Sequence, residues 1–188
     1  MSRVGALLLA PGAGADRNQP TLVAVERAVA PLPTARIDFP YRKAGRRAPD
    51  KAPVLVQCVR DEAAALVAEA HIRANRLALG GRSMGGRMCS MAVAEGLAAR
   101  ALVLISYPLH PPGRADRLRV EHLPAIDVPC LFVHGTADPF GAPEELTAAT
   151  ATIPGDVTHV WIEGRGHDLK GADAKVASTV ADFLRGLR

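Results

Sequence analysis

No stretch of this sequence approaches the roughly 20 consecutive apolar residues that a membrane helix requires, so no membrane association is expected. Cysteine is scarce as well. Cys58, Cys89 and Cys130 form an odd set without a CxxC pair, in a chain of 188 residues that is long enough to hold a core without disulfide staples. Reduced thiols and a cytoplasmic location are expected. Only 4 of the 23 basic residues are lysine, and the arginines are scattered along the chain. Binding nucleic acid needs a clustered basic face, so the formal charge of +4 does not imply a nucleic-acid partner. Metal ligands at the spacing of HExxH or a similar pair are missing, and the first glycine loop lacks the GK[ST] ending that cradles phosphates. Neither a metal nor a cofactor is expected.

What remains is an ordinary globular composition, 48% hydrophobic and 22% charged, of a size that suits one domain over residues 1–188. The start, "MSRVGALLLAPGAGAD", has the look of a short secretion signal. Reading 4–10 as a buried strand accounts for it better, because cleavage there would remove the glycine loop that follows. Further apolar runs lie at 35–39, 76–80, 101–106, 130–135 and 157–163. Most do not alternate with polar residues, which is how strands buried on both faces of a parallel sheet read. Segments with helical periodicity separate them, at about 19–30, 50–73, 85–98, 142–153 and 172–187. The expected fold is α/β, a doubly wound and mostly parallel sheet of about six strands with flanking helices. The segment 106–129, with five prolines, is expected to be a loop with at most one or two helical turns, leaving an open site.

The stretch "LALGGRSMGGRM" at 77–88 carries the chemistry. Gly81-Arg82-Ser83-Met84-Gly85 matches G-x-S-x-G, in which a serine sits on a sharp strand-to-helix turn at the carboxyl end of a sheet. The glycines are expected because the backbone on either side of the serine comes close and a Cβ would collide. A serine hydroxyl needs a base to take its proton and an acid to hold that base in the right tautomer. In this arrangement the acid and then the histidine follow the serine along the chain. Asp138, in "HGTADPF", and His167, in "EGRGHDLKG", each follow a strand and fit those roles. Asp168 cannot easily reach back to its neighbour's ring. The oxyanion formed on attack requires preorganised donors, for which the N–H groups of Met84 and Ala13 are the candidates. Arg82 either holds a substrate anion or, as we favour, pairs with an acidic neighbour and stiffens the turn. Tyr107 and Leu109 are candidates for the substrate pocket, with core packing an equal reading. His110 follows a strand at the same edge and is a further pocket candidate. His71, read in a helix, His122, and His134 and His159, read in strands, are taken as structural, and Cys89 as a buried, inert thiol.

With these residues in hand, the chain resembles the α/β-hydrolase superfamily, and within it the small cap-less dienelactone-hydrolase-like proteins and the KANL/Tex-like hydrolases. The resemblance runs from "LLLAPGAGAD" through "GGRSMGGR", "LVLISYPLHPPG" and "PCLFVHGTADPF" to "WIEGRGHDLK". It implies an esterase-like fold with Ser83, Asp138 and His167 as a triad and an oxyanion loop at 12–14. Two departures stand out: Pro11 occupies a position where many relatives have histidine, and the first two strands of larger relatives are missing. The expected function is a serine hydrolase acting on a small ester, thioester or related acyl substrate through an acyl-enzyme. The alternative is a non-catalytic binding or assembly module on the same fold.

Overall fold

The six apolar segments become six strands: β1 (Ala6–Ala10), β2 (Thr34–Arg36), β3 (Leu77–Arg82), β4 (Ala101–Ile105), β5 (Cys130–Gly135) and β6 (Val157–Ile162). The computed structural model describes residues 3–187; residues 1, 2 and 188 of the expected 1–188 span lie outside the described residues. All neighbouring strands run parallel, in the order β2-β1-β3-β4-β5-β6. Successive side chains enter opposite cores. Ala6, Leu8 and Ala10 of β1 join one apolar cluster and Leu7 and Leu9 the other, while β4 divides into Leu102 and Leu104 against Val103 and Ile105. Because both faces are covered, the inner strands β1 and β4 contain no polar residue, and their sequences show continuous runs rather than alternation.

Helices cover each face. α3 (Ala52–Glu69), α4 (Met84–Ala94) and α5 (Pro143–Thr150) place Leu55, Val59, Met88, Cys89 and Leu146 in the first cluster. α1 (Pro20–Val29) and α6 (Asp173–Gly186) supply Leu22, Val25, Val176, Val180 and Leu184 to the second. A proline stands first in α1 and α5 and second in α3, where its fixed φ suits the first turn and its missing N–H costs nothing. Pro40 does the same for a single turn, α2 (Pro40–Lys43), which is too short to show a period and so escaped the sequence reading. His71 was expected inside a helix; it lies two residues past the end of α3, at φ +50°. The proline-rich segment is irregular as expected, with one 3₁₀ turn at Leu123–Ala125. Among the described residues no helix is long and apolar enough to cross a membrane.

Strand order positions the site. The chain runs outward from β1 to β2, then returns to place β3 on the other side of β1, so the connections leaving β1 and β3 part in opposite directions. Such a switch point leaves a crevice at the carboxyl ends of the two strands. Residues 11–14 and Ser83 flank it.

Candidate active site

Ser83 sits between β3 and α4 at φ +50° and ψ −120°, a conformation that non-glycine residues rarely adopt and that persists only when the surroundings impose it. Its N–H donates to the carbonyl of Ile105 at 2.8 Å, and its own carbonyl accepts from Arg87 N–H at 3.1 Å. The turn is thereby pinned to β4 on one side and to α4 on the other. The flanking glycines have a different reason from the one expected. A Cβ on either Gly81 or Gly85 would collide with the carbonyl of Ala10, at the end of β1, rather than with the opposite limb of the turn. Bare backbone is needed so that β1 and its loop can lie against the serine.

That loop presents its amides selectively. Gly12 N–H donates to Gln19 Oε1 at 3.1 Å and Gly14 N–H to the Tyr41 hydroxyl at 3.2 Å. Ala13 N–H, between them, has no hydrogen-bond acceptor among the described residues. Met84 opens α4, where an N–H has no acceptor within the helix. Both residues line a cavity of about 460 Å³ that also contains Ser83 and His167. Pro11 carries no N–H and cannot donate there.

His167 comes from the loop between β6 and α6, Asp138 from the turn after β5. The three residues form one continuous chain of contacts: His167 Nε2 lies 2.8 Å from Ser83 Oγ, and His167 Nδ1 lies 2.8 Å from Asp138 Oδ2. A carboxylate only accepts, so Nδ1 carries the proton and Nε2 is free to accept the serine O–H. Asp138 has a fully buried side chain. Its other oxygen, Oδ1, accepts from Phe140 N–H at 2.8 Å. Asp168 is exposed and instead accepts from Lys170 N–H at 3.2 Å.

Some candidates fall elsewhere. Arg82 was expected to pair with an acid; its Nη2 donates instead to the backbone carbonyl of His167 at 2.8 Å, and burial lowers its pKa below the usual guanidinium value. Tyr107 and Leu109 are core residues, 1% and 0% exposed, with Tyr107 set edge-on to Phe132; alternation along the segment turns only Pro108, between them, into the cavity. His110 is buried beside α5, with Nε2 3.5 Å from Glu145 Oε2, and does not line the cavity. Cys89 is fully buried with Sγ 3.2 Å from Gly80 O, and burial raises its pKa far above the usual thiol value. His134 and His159 stand in β5 and β6, both shifted toward the neutral form by burial.

Several residues of the site were not anticipated. The Phe140 ring stacks on His167 with centroids 4.0 Å apart, limiting where the imidazole can swing. His134 Nε2 lies 2.9 Å from Gly141 O and 3.4 Å from Asp138 Oδ2, so it braces the turn that carries the acid. Arg87 and Arg119 line the cavity. Arg87 had a legible signal, four residues after the serine on a helix; Arg119 had none, because its position depends on the path of the proline-rich segment.

Comparison with known proteins bears on the family and the fold. Residues 3–184 match the model of the alpha/beta hydrolase domain family. Among solved structures, a dienelactone hydrolase from Anabaena variabilis is 22% identical with a TM-score of 0.77, covering 100% of this chain and 88% of its own. The esterase domain of a Rhodothermus marinus protein is 16% identical with a TM-score of 0.70, covering 98% and 88%. The type II thioesterase BorB from the borrelidin biosynthetic cluster is 19% identical with a TM-score of 0.70, covering 96% and 92%. At these identities the likeness is one of fold, and it agrees with the dienelactone-hydrolase-like resemblance read from the motifs. With the family match extending over nearly all of its length, the chain belongs to the alpha/beta hydrolase family and is an enzyme of the hydrolase class.

Proposed function

We propose that this hydrolase is a serine enzyme that cleaves a small ester, thioester or related acyl substrate through an acyl-enzyme, and that residues 1–188 act as one catalytic domain. The observation that carries the reading is the unbroken chain of short contacts from Ser83 through His167 to Asp138. Ser83 Oγ attacks the acyl carbonyl as His167 Nε2 takes its proton, and Asp138 holds the imidazole in the required tautomer and supports the imidazolium. The Met84 and Ala13 amides stabilise the oxyanion, with the start of α4 adding its dipole. His167 then protonates the leaving alcohol or thiol. Water attacks the acyl-enzyme by the same route in reverse, releasing the acid and restoring Ser83. Three free, buried thiols suit a reducing compartment, and we place the protein in the cytoplasm.

Two measurements test the reading: labelling of purified protein by a fluorophosphonate, and turnover of short p-nitrophenyl esters. Wild-type protein should label and turn over. Equal labelling of wild type and Ser83→Ala would overturn the assignment in favour of a binding module.

A further inference from the structure

The cavity beside Ser83 is lined by three arginines, Arg82, Arg87 and Arg119, and by no aspartate or glutamate. Elsewhere on the protein, arginines pair with carboxylates, as Arg17 does with Asp38 and Arg36 with Glu26. Among the described residues none of the three cavity arginines makes an ion pair. The contacts of Arg82 and Arg119 are to neutral carbonyls only: Arg82 to His167 O, and Arg119 Nη1 to Pro108 O at 3.2 Å. The Nε atoms of Arg82 and Arg87 are buried without a hydrogen-bond partner.

Their placement is built. Arg87 stands one helical turn beyond Ser83 on α4. Arg119 is anchored across from it: its N–H donates to Leu109 O at 2.8 Å, and its carbonyl accepts from the Tyr107 hydroxyl at 2.7 Å. Burial, and then the nearby charge of Arg87, disfavour the charged form of Arg119. Arg82 feels the charges of Asp168, Asp173 and Asp138, whereas Arg87 and Arg119 make no ion pair among the described residues; holding two partly buried cations together in that way costs free energy, which a ligand of opposite charge recovers on binding. Guanidinium groups match carboxylate and phosphate oxygens in geometry as well as in sign.

We infer that the site takes an acyl substrate bearing its own oxyanion, a carboxylate or phosphate group seated between Arg87 and Arg119 while the scissile carbonyl meets Ser83. This rests on the serine hydrolase reading. The anion belongs either to the acyl part or to the leaving alcohol, and matched ester pairs distinguish the two. For the acyl part, p-nitrophenyl hemisuccinate is compared with p-nitrophenyl butyrate. For the alcohol part, 1-butyrylglycerol 3-phosphate is compared with monobutyrin.

In at least one pair the charged ester should show a kcat/KM about tenfold or more above its neutral partner, since one charge-assisted hydrogen bond is worth that much. The preference should fall toward unity in Arg87→Gln and Arg119→Gln and partly return in Arg87→Lys. Arg114→Gln, in the same segment but paired with Asp116, should keep it. Calorimetric titration with succinate and with inorganic phosphate gives a readout independent of turnover, with binding that weakens in Arg87→Gln. Neutral esters cleaved as well as charged ones in both pairs would overturn the inference and leave the hydrolase reading intact. Anion binding lost in Arg87→Gln, in a protein whose Ser83 does not label, would overturn the hydrolase reading and leave an anion site.

Discussion

Arg82, the residue before Ser83, donates from Nη2 to the backbone carbonyl of His167 at 2.8 Å. The end of β3 that leads into the nucleophile and the loop that carries the base, more than 80 residues apart, are thus tied by a charged hydrogen bond in addition to the contact between Ser83 and His167. Such a bond is worth about 1.5–3 kcal/mol when one partner is ionised. Arg82→Gln should therefore lower kcat about tenfold or more, and Arg82→Lys should restore part of it. The labelling rate of Ser83 by a fluorophosphonate checks this separately from substrate binding. An unchanged rate would mean that the loop holds His167 without help.

Asp138 holds the imidazole through Nδ1, and its carboxamide analogue would favour the wrong tautomer. Asp138→Asn is expected to reduce kcat by about 10³-fold to 10⁴-fold. Asp168→Asn, an exposed change at a residue that accepts a hydrogen bond from Lys170 in its own turn and reaches Arg82 through its charge alone, should lower kcat far less. Steady-state kinetics on the pair of variants checks the assignment of the acid, and reversed effects would refute it.

Gly85 lies against the end of β1. Adding a methyl group in Gly85→Ala would press on the carbonyls of Ala10 and Pro11, backbone atoms that cannot swing aside. Overpacking of this kind costs about 1–3 kcal/mol. Activity should fall further than stability, because the displaced segment carries the Ala13 amide. Urea unfolding and esterase assays on the same sample measure both. Gly186→Ala, with open space around it at the end of α6, is the comparison that should change neither.

His122 stabilises the fold only as a neutral ring. It lies 2.8 Å from Ser90 Oγ, and burial, helped by the charge of Arg87, pushes its pKa down to about 4. In the unfolded chain a histidine titrates near about 6.5. Between these values the unfolded state binds more protons, so stability rises with pH across that window and is lost on acidification. His134 and His159, lowered by burial, act in the same direction. Urea unfolding at pH 5 and pH 7 should show a smaller loss on acidification for His122→Gln than for wild type. Equal losses would remove His122 from the account.

The strands were legible because a doubly covered parallel sheet writes its burial directly into the sequence, as in "ALVLI" of β4, where every residue is buried. The turn at Ser83 was legible because its glycines are close in sequence and admit few alternatives. Legibility ends where a residue's role depends on a distant segment. Tyr107 and Leu109 were candidates for both core and pocket, since nothing local indicates which face of an irregular segment turns inward. Arg82 was assigned an acidic partner because local sequence cannot reveal a backbone carbonyl in another loop.

The existence of the strands and the burial of the central ones, the sharp turn at Ser83 and the sequence order of serine, acid and histidine were legible in the sequence alone, since each depends on side-chain size and on near neighbours. Tertiary structure alone decided which backbone the glycines clear, which amide is left free at Ala13, and that Arg87 and Arg119 share one cavity. Those relationships arise from contacts between segments far apart in the chain, and their geometry is set by how the sheet winds at its switch point rather than by any local pattern.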